Sequence, residues 1–316
     1  MTQRIEPHVR RLLARFHRQR PLRAGSLLVT VFGDAIAPRG AAATLGSLIR
    51  VAAALGLTER LVRTSVARLA QDDWLVTRRD GRLSEYRLSP SGERRFSDAT
   101  RRIYAASPDH WDGQWTLLLL PSADGRDRLR DELRWLGFGQ LNPGLLAHPT
   151  RSSEDTRDQL QAAGARPSQT IVLESRTGDL AADRAIARQG WDLADLEKRY
   201  ARFVRAFEPA QAATLSDRLD PESAFVLRTL LIHEFRRIHL RDPLLPLTLL
   251  PRGWIGESAY ALTRDLYTRV FDPAERWLSD TAATLAGALP PPHPGVRRRF
   301  GGLPAEENSP RGRATD

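Results

Sequence analysis

Between Leu45 and Pro90 the spacing of apolar residues switches from helical to strand-like within one short stretch, and this narrows what the segment can become. Leu45, Leu48, Ile49, Ala52 and Leu55 share one face of a helix. Gly56 follows where a left-handed terminator belongs. Thr58 can cap a second helix, and Glu59 sits in its first turn, where negative charge is favourable. Across roughly Glu59 to Gln71, Val62, Val66 and Leu69 form one face. At about 100° per residue, Arg60, Thr64 and Ala67 lie opposite, flanked by Arg63 and Arg68. Two strand-like runs follow, Trp74 to Arg78 and Leu83 to Leu88, around the basic turn Arg79-Asp80-Gly81-Arg82. Helix, turn, cationic helix and basic hairpin predict a winged helix-turn-helix able to fill a DNA major groove. Arg60, Arg63 and Thr64 are expected at base edges, and Arg68, Arg79 and Arg82 at the backbone.

Charge distribution points the same way. Residues 1–110 hold 20 arginines and 10 acidic residues, whereas the remainder balances 28 basic against 28 acidic. The whole net charge of +10 therefore lies in the part that carries the motif. Such a field attracts phosphates through counterion release.

Composition excludes several alternatives. There is no cysteine, so disulfides, thiolate nucleophiles and cysteine metal sites are absent. Lys198 is the only lysine, and no glycine-rich loop precedes it, so a P-loop is excluded. No Gly-x-Ser-x-Gly elbow is present. No apolar run approaches the roughly 18 residues of a membrane span, and no signal sequence follows the arginine-rich start. A cytoplasmic, nucleoid-associated protein with no membrane partner is expected.

The chain is expected to divide into a basic leader (1–23), a winged helix-turn-helix domain (24–92) and a connecting helix (93–110). A ferredoxin-like domain (111–179), a helical C-terminal domain (180–288) and a disordered tail (289–316) follow. The ferredoxin-like expectation rests on strand, helix, strand, helix, strand order from Gln114 to Glu174. The tail expectation rests on Pro290-Pro291-Pro292 and the charges beyond it. The fold class is α+β multidomain.

The chain resembles the PaaX-type repressors of phenylacetate degradation over about Gly25 to Leu285. Phe32-Gly33-Asp34, Leu55 to Arg63, Arg68-Leu69, and Gly81-Arg82 with Tyr86 to Ser89 carry the resemblance first. Trp111 to Trp115 and Leu136 to Gly139 carry it in the middle. The most specific stretches are His233-Glu234-Phe235-Arg236-Arg237, Asp242 to Pro246, Leu250-Pro251 and Trp254-Ile255-Gly256. The resemblance implies a winged helix, a ferredoxin fold like that of small CRISPR-adaptation nucleases, and a helical C-terminal domain. It also implies a homodimeric repressor released from its operator by an aryl-acyl-CoA such as phenylacetyl-CoA, and two paired winged domains are expected to grip an imperfect palindrome. On that reading no cofactor is needed, no residue is catalytic, and His233, Arg236, Arg237 and Trp254 are the candidate ligand contacts.

Other chemistries read less well. His233 and His239 are six residues apart and about 240° around a helix, against the four-residue spacing of a zinc helix. Asp112 and Asp124 flank the first strand of the middle unit, and a metal-dependent nucleic-acid-processing enzyme would have to be built on such acids. A lone acid on a short turn is ordinarily a turn former. A ligand-independent DNA-binding protein is the other alternative.

Overall fold

The computed structural model describes residues 6–21, 24–120, 126–162, 170–216 and 219–304. The chain divides into two compact units. One takes Met1–Ala105, Ala206–Glu234 and Leu262–Asp316; the other takes Ala106–Arg205 and Phe235–Ala261.

The first unit opens with α1 (Pro7–His17), which buries Val9, Leu12 and Phe16. Helix α2 (Ala24–Val31) runs into a π-helical turn, Phe32–Ile36, and a 3-10 turn, Ala37–Arg39. Then come β1 (Ala42–Thr44), α3 (Leu45–Ala54), α4 (Glu59–Gln71), β2 (Leu75–Asp80), β3 (Leu83–Leu88) and α5 (Pro90–Ile103). The three strands form an antiparallel sheet in the order β1-β3-β2. Thr44, Thr58 and Ser89 each precede a helix and accept from Ser47 N, Leu61 N and Gly92 N, satisfying donors that a helix start leaves open. Gly56 has φ 70°, the terminator geometry that its position predicts.

The second unit contains β4 (Trp115–Leu119), α6 (Arg126–Trp135), β5 (Gly139–Asn142), β6 (Leu145–His148), α7 (Ser153–Ala162) and β7 (Ile171–Ser175). Its antiparallel sheet has the order β5-β6-β4-β7. Leu118 and Leu146 from the sheet bury with Leu133 of α6, Phe138 and Leu160 of α7. Strands β5 and β6 pair as a hairpin. Helix α8 (Leu180–Gly190) follows, capped by Asp179.

Three long helices come next: α9 (Leu193–Ser216), α10 (Pro221–His239) and α11 (Ile255–Thr281). Each supplies residues to both units. Every residue from Ser223 to His233 is buried, and a helix covered all round needs partners on every side.

After α11, β8 (Ala283–Thr284) pairs with β9 (Gly287–Ala288). Ala283 N donates to Ser47 Oγ, and Leu285 N donates to the buried Glu85 carboxylate. Residues 289–304 are ordered, contrary to the disordered tail expected from their prolines. Leu289, Val296, Phe300 and Leu303 are buried, and 294–301 form a 3-10 segment. Apolar residues at these positions outweigh the proline signal by entering the core. The expected tail residues 305–316 lie outside the described residues.

A buried ionic cluster ties the first unit together. Asp34 Oδ2 accepts from Arg228 Nε at 2.7 Å, and Asp34 Oδ1 from Arg299 Nη1 at 2.9 Å. The same Oδ1 accepts from the phenols of Tyr104 and Tyr267 at 2.6 and 2.8 Å. Glu275 binds both Arg228 and Arg39. Burial alone would push the Asp34 carboxyl up, but Arg228, Arg299 and the two phenols hold it below its ordinary value.

Candidate nucleic-acid interface and ligand cavity

Helix α4 has two unlike faces. Val62, Ser65, Val66 and Leu69 are buried. Arg60, Arg63, Thr64 and Arg68 are exposed, as the helical projection requires. Arg63 Nε donates to Glu59 Oε1 at 2.8 Å, one turn away. That pair is more than half exposed on both sides and so contributes little to stability. Thr64 Oγ1 donates to Arg60 O at 2.9 Å, which leaves its lone pairs facing solvent. Among the described residues, Arg60 and Arg68 have no ion-pair partner. The face can therefore offer guanidinium groups to an outside acceptor without breaking an internal contact, Arg63 excepted.

The β2–β3 hairpin pairs Asp80 with Leu83, so Gly81 and Arg82 make a two-residue turn with Gly81 at φ 54°. Arg79 and Arg82 are exposed on either side of it. All six residues expected at DNA thus lie on the surface of the first unit.

The four expected ligand contacts are placed differently. His233 belongs to the first unit and is fully buried. Its Nδ1 lies 3.0 Å from Thr30 Oγ1, and its ring meets Phe16 edge-on. It is a core residue of the first unit, set against Thr30 and Phe16. Arg236 and Arg237 are half-buried residues of the second unit.

Trp254 lines a cavity of about 800 Å³ in the second unit. Arg134 of α6, Asn142 of β5, Arg188 of α8, Trp191 and Glu197 share that cavity, whereas Arg236 and Arg237 are not among its lining residues. Trp191 Nε1 donates to Gly137 O at 3.1 Å. A Cβ on Gly139 would meet the Trp191 ring at 2.6 Å, so that glycine is what lets the indole lie on the strand. Trp254 packs edge-on against Tyr200. The Tyr200 hydroxyl donates to Asp242 Oδ2 at 2.7 Å and lies 2.9 Å from His239 Nδ1. Burial, and then Asp242, push the Tyr200 phenol well up, so it stays a donor. Asp242 also accepts from Leu244 N at 2.8 Å, which fixes the proline-rich connector. The cavity offers two indoles and two guanidiniums, beside the carboxylates of Asp192 and Glu197. Arg134, Arg188 and Trp191 were not singled out from sequence. The Gly190-Trp191 pair after a helix is the one local signal that could have drawn notice.

The remaining acids do not assemble. Asp112 Oδ1 accepts from Gln114 N at 2.9 Å, a turn-forming contact. Asp124 lies outside the described residues. Among the described residues no three histidine or carboxylate side chains gather as a metal site. His239 is engaged with Tyr200. Among the described residues no helix is long and apolar enough to cross a membrane.

Comparison with known proteins gives one consistent result. Three family models match in chain order: the PaaX-like protein over residues 23–92, the PaaX protein central Cas2-like domain over 108–187, and the PaaX-like protein C-terminal domain over 191–280. The chain is 37% identical over 299 residues to the transcriptional repressor PaaX of Escherichia coli (strain K12), covering 92% of this chain and 93% of that one. It is also similar to the solved structure of the uncharacterized protein Rv0674 from Mycobacterium tuberculosis. The TM-score is 0.51 at 26% identity, over 79% of this chain and 96% of that one.

Proposed function

This chain belongs to the PaaX family, and on that premise we propose that it is a sequence-specific transcriptional repressor of a phenylacetate-type catabolic operon. It is a regulator and not an enzyme. The observation that carries the reading is α4: a capped helix whose apolar side is buried and whose arginine side is exposed, beside a basic hairpin. We read α3, α4 and the hairpin as a winged helix-turn-helix, and the four-stranded unit as ferredoxin-like. Arg60, Arg63 and Thr64 read base edges, while Arg68, Arg79 and Arg82 hold phosphates. Two copies of the chain, acting in the cytoplasm, grip an imperfect palindrome whose half-sites are spaced by whole turns of about 10 base pairs.

An aryl-acyl-CoA, phenylacetyl-CoA in the first instance, releases the repressor. Its seat in this reading is the second unit's cavity, whose volume of about 800 Å³ falls in the range of ligand pockets. Trp254 and Trp191 face the acyl ring, and Arg134 and Arg188 the phosphates. Arg236 and Arg237 are second candidates for those phosphates. A full swing from bound to free needs the ligand to favour the released state by about 5.5 kcal/mol. The test is a gel shift on the DNA upstream of aromatic-degradation genes, in EDTA, with phenylacetyl-CoA, phenylacetate or coenzyme A added. A discrete complex lost only with the thioester is the expected result. A complex indifferent to every thioester removes the ligand from the reading, and no complex at all removes the repressor.

A further inference from the structure

Helix α1 carries a row of arginines that the winged segment does not account for. Arg11, Arg15 and Arg18 are spaced i, i+4, i+7 and share one side of the helix, away from the buried Val9, Leu12 and Phe16. All three are exposed. They rim a groove of about 290 Å³ whose other walls are His8, Leu12, Ala14 and, from α9, Ala206, Pro209 and Ala210. No carboxylate lines it.

Among the described residues some arginines have a counter-charge on their own helix, and others, such as Arg60 and Arg68, do not. Arg63, Arg101, Arg199 and Arg269 each pair with an acid three or four residues away on the same helix. Among the described residues Arg11, Arg15 and Arg18 have no such partner. Three guanidiniums left together without a counter-charge repel one another, and an outside polyanion relieves that cost.

The helix also sits beside the DNA-reading segment. His17, next to Arg18, donates from Nε2 to Leu55 O at 2.9 Å. A Cβ on Gly56 would meet the same nitrogen at 2.6 Å. The last turn of α1 therefore rests on the turn that leads into α4. Arg11 to Arg18 spans about 10 Å at a rise of 1.5 Å per residue. That length covers about three successive phosphates of one strand, at roughly 3.4 Å each along the axis.

We infer that the arginine row of α1 is a second backbone contact, holding DNA phosphates that flank the site read by α4. The inference rests on the DNA-binding reading above. Phosphate is the shared chemistry, and DNA is favoured over a free phosphate compound because the row lies in the same unit as Arg60, Arg63 and Arg68.

The triple variant Arg11→Gln, Arg15→Gln, Arg18→Gln tests it in the full-length protein. Glutamine keeps helix propensity, and the buried face is untouched. Affinity is measured against salt on operator and on random DNA. Each lost phosphate contact lowers the log–log salt slope by about 0.9, so the variant should lose about 2 to 3 from its slope, equally on both DNAs. Base preference should not change. Hydroxyl-radical footprinting of the wild type should show protected sugars beyond the half-site, and this readout does not depend on the variant folding. An unchanged slope, or no flanking protection, overturns the inference while the repressor stands. Pyrophosphate binding that is lost in the variant, with the DNA slope intact, reassigns the row to a free phosphate ligand and overturns it too. A wild type that binds no DNA overturns both readings.

Discussion

Arg63 is held by Glu59 in the free protein, so on the proposed reading binding DNA means exchanging an exposed carboxylate for a base edge. Little is lost in the exchange, because the pair is largely solvated. Arg63→Ala should therefore leave folding unchanged. It should remove about 1–3 kcal/mol of discrimination at one base pair, seen as relaxed preference among operator variants. His148 behaves in the opposite way. Its Nδ1 accepts from Thr150 N and Arg151 N at 3.2 and 3.0 Å, and burial, then Arg151, lower its pKa to about 3. Unfolded, the same imidazole takes a proton below about pH 6.5. The unfolded chain thus binds more protons through that window. The stability contribution is whole above about pH 6.5 and is lost as pH falls toward 3, at up to about 1.4 kcal/mol per pH unit. His148→Asn, which keeps an acceptor, should flatten the fall of melting temperature between pH 6.5 and 4. A parallel fall in both proteins would assign the acid sensitivity elsewhere.

Among the elements, those with strong local signals were readable from sequence. Helix α4 runs from Glu59 to Gln71 as its apolar period and Thr58 cap require, and β3 spans Leu83 to Leu88 as its alternation requires. The three-residue β1 was not foreseen, because its pairing with β3 comes from a segment more than 40 residues away. The π-helical turn at Phe32–Ile36 was also not foreseen. It carries Asp34 to Arg228 and Arg299, contacts that no local pattern encodes. The end of α8 shows the same dependence on distant neighbours, since Trp191 lies over β5 only because Gly139 has no side chain. Gly139→Ala should displace that indole. Thioester release of DNA should then weaken at least several-fold in the gel shift, while operator binding without ligand persists. Unaltered release would place the effector away from Trp191.

For the molecule as a whole, the arginine face of α4 could be read from residue order, because a surface helix shows its buried side in its own periodicity. The cavity of the second unit and the ionic cluster could not. They join side chains from α6, β5, α8 and the residue before α11 in one case, and from the π-helical turn, α10, α11 and the 294–301 segment in the other. Arg299→Met illustrates the consequence. It leaves buried Asp34 with one guanidinium fewer and should cost about 3–5 kcal/mol by urea unfolding. Truncation after Ala288 should cost more, since Val296, Phe300 and Leu303 lose their buried seats as well. An unchanged midpoint in both would show that the cluster is dispensable. By itself the sequence determined the family, the two sheets' main strands and the arginine face, all of which are written in short-range spacing and charge. Only the tertiary structure decided that His233 is core, that the C-terminal segment is an ordered part of the first unit, and which residues surround the cavity. The reason is physical: burial and ion pairing join residues up to 265 positions apart, as Asp34 and Arg299 are, and no local period records such a pair.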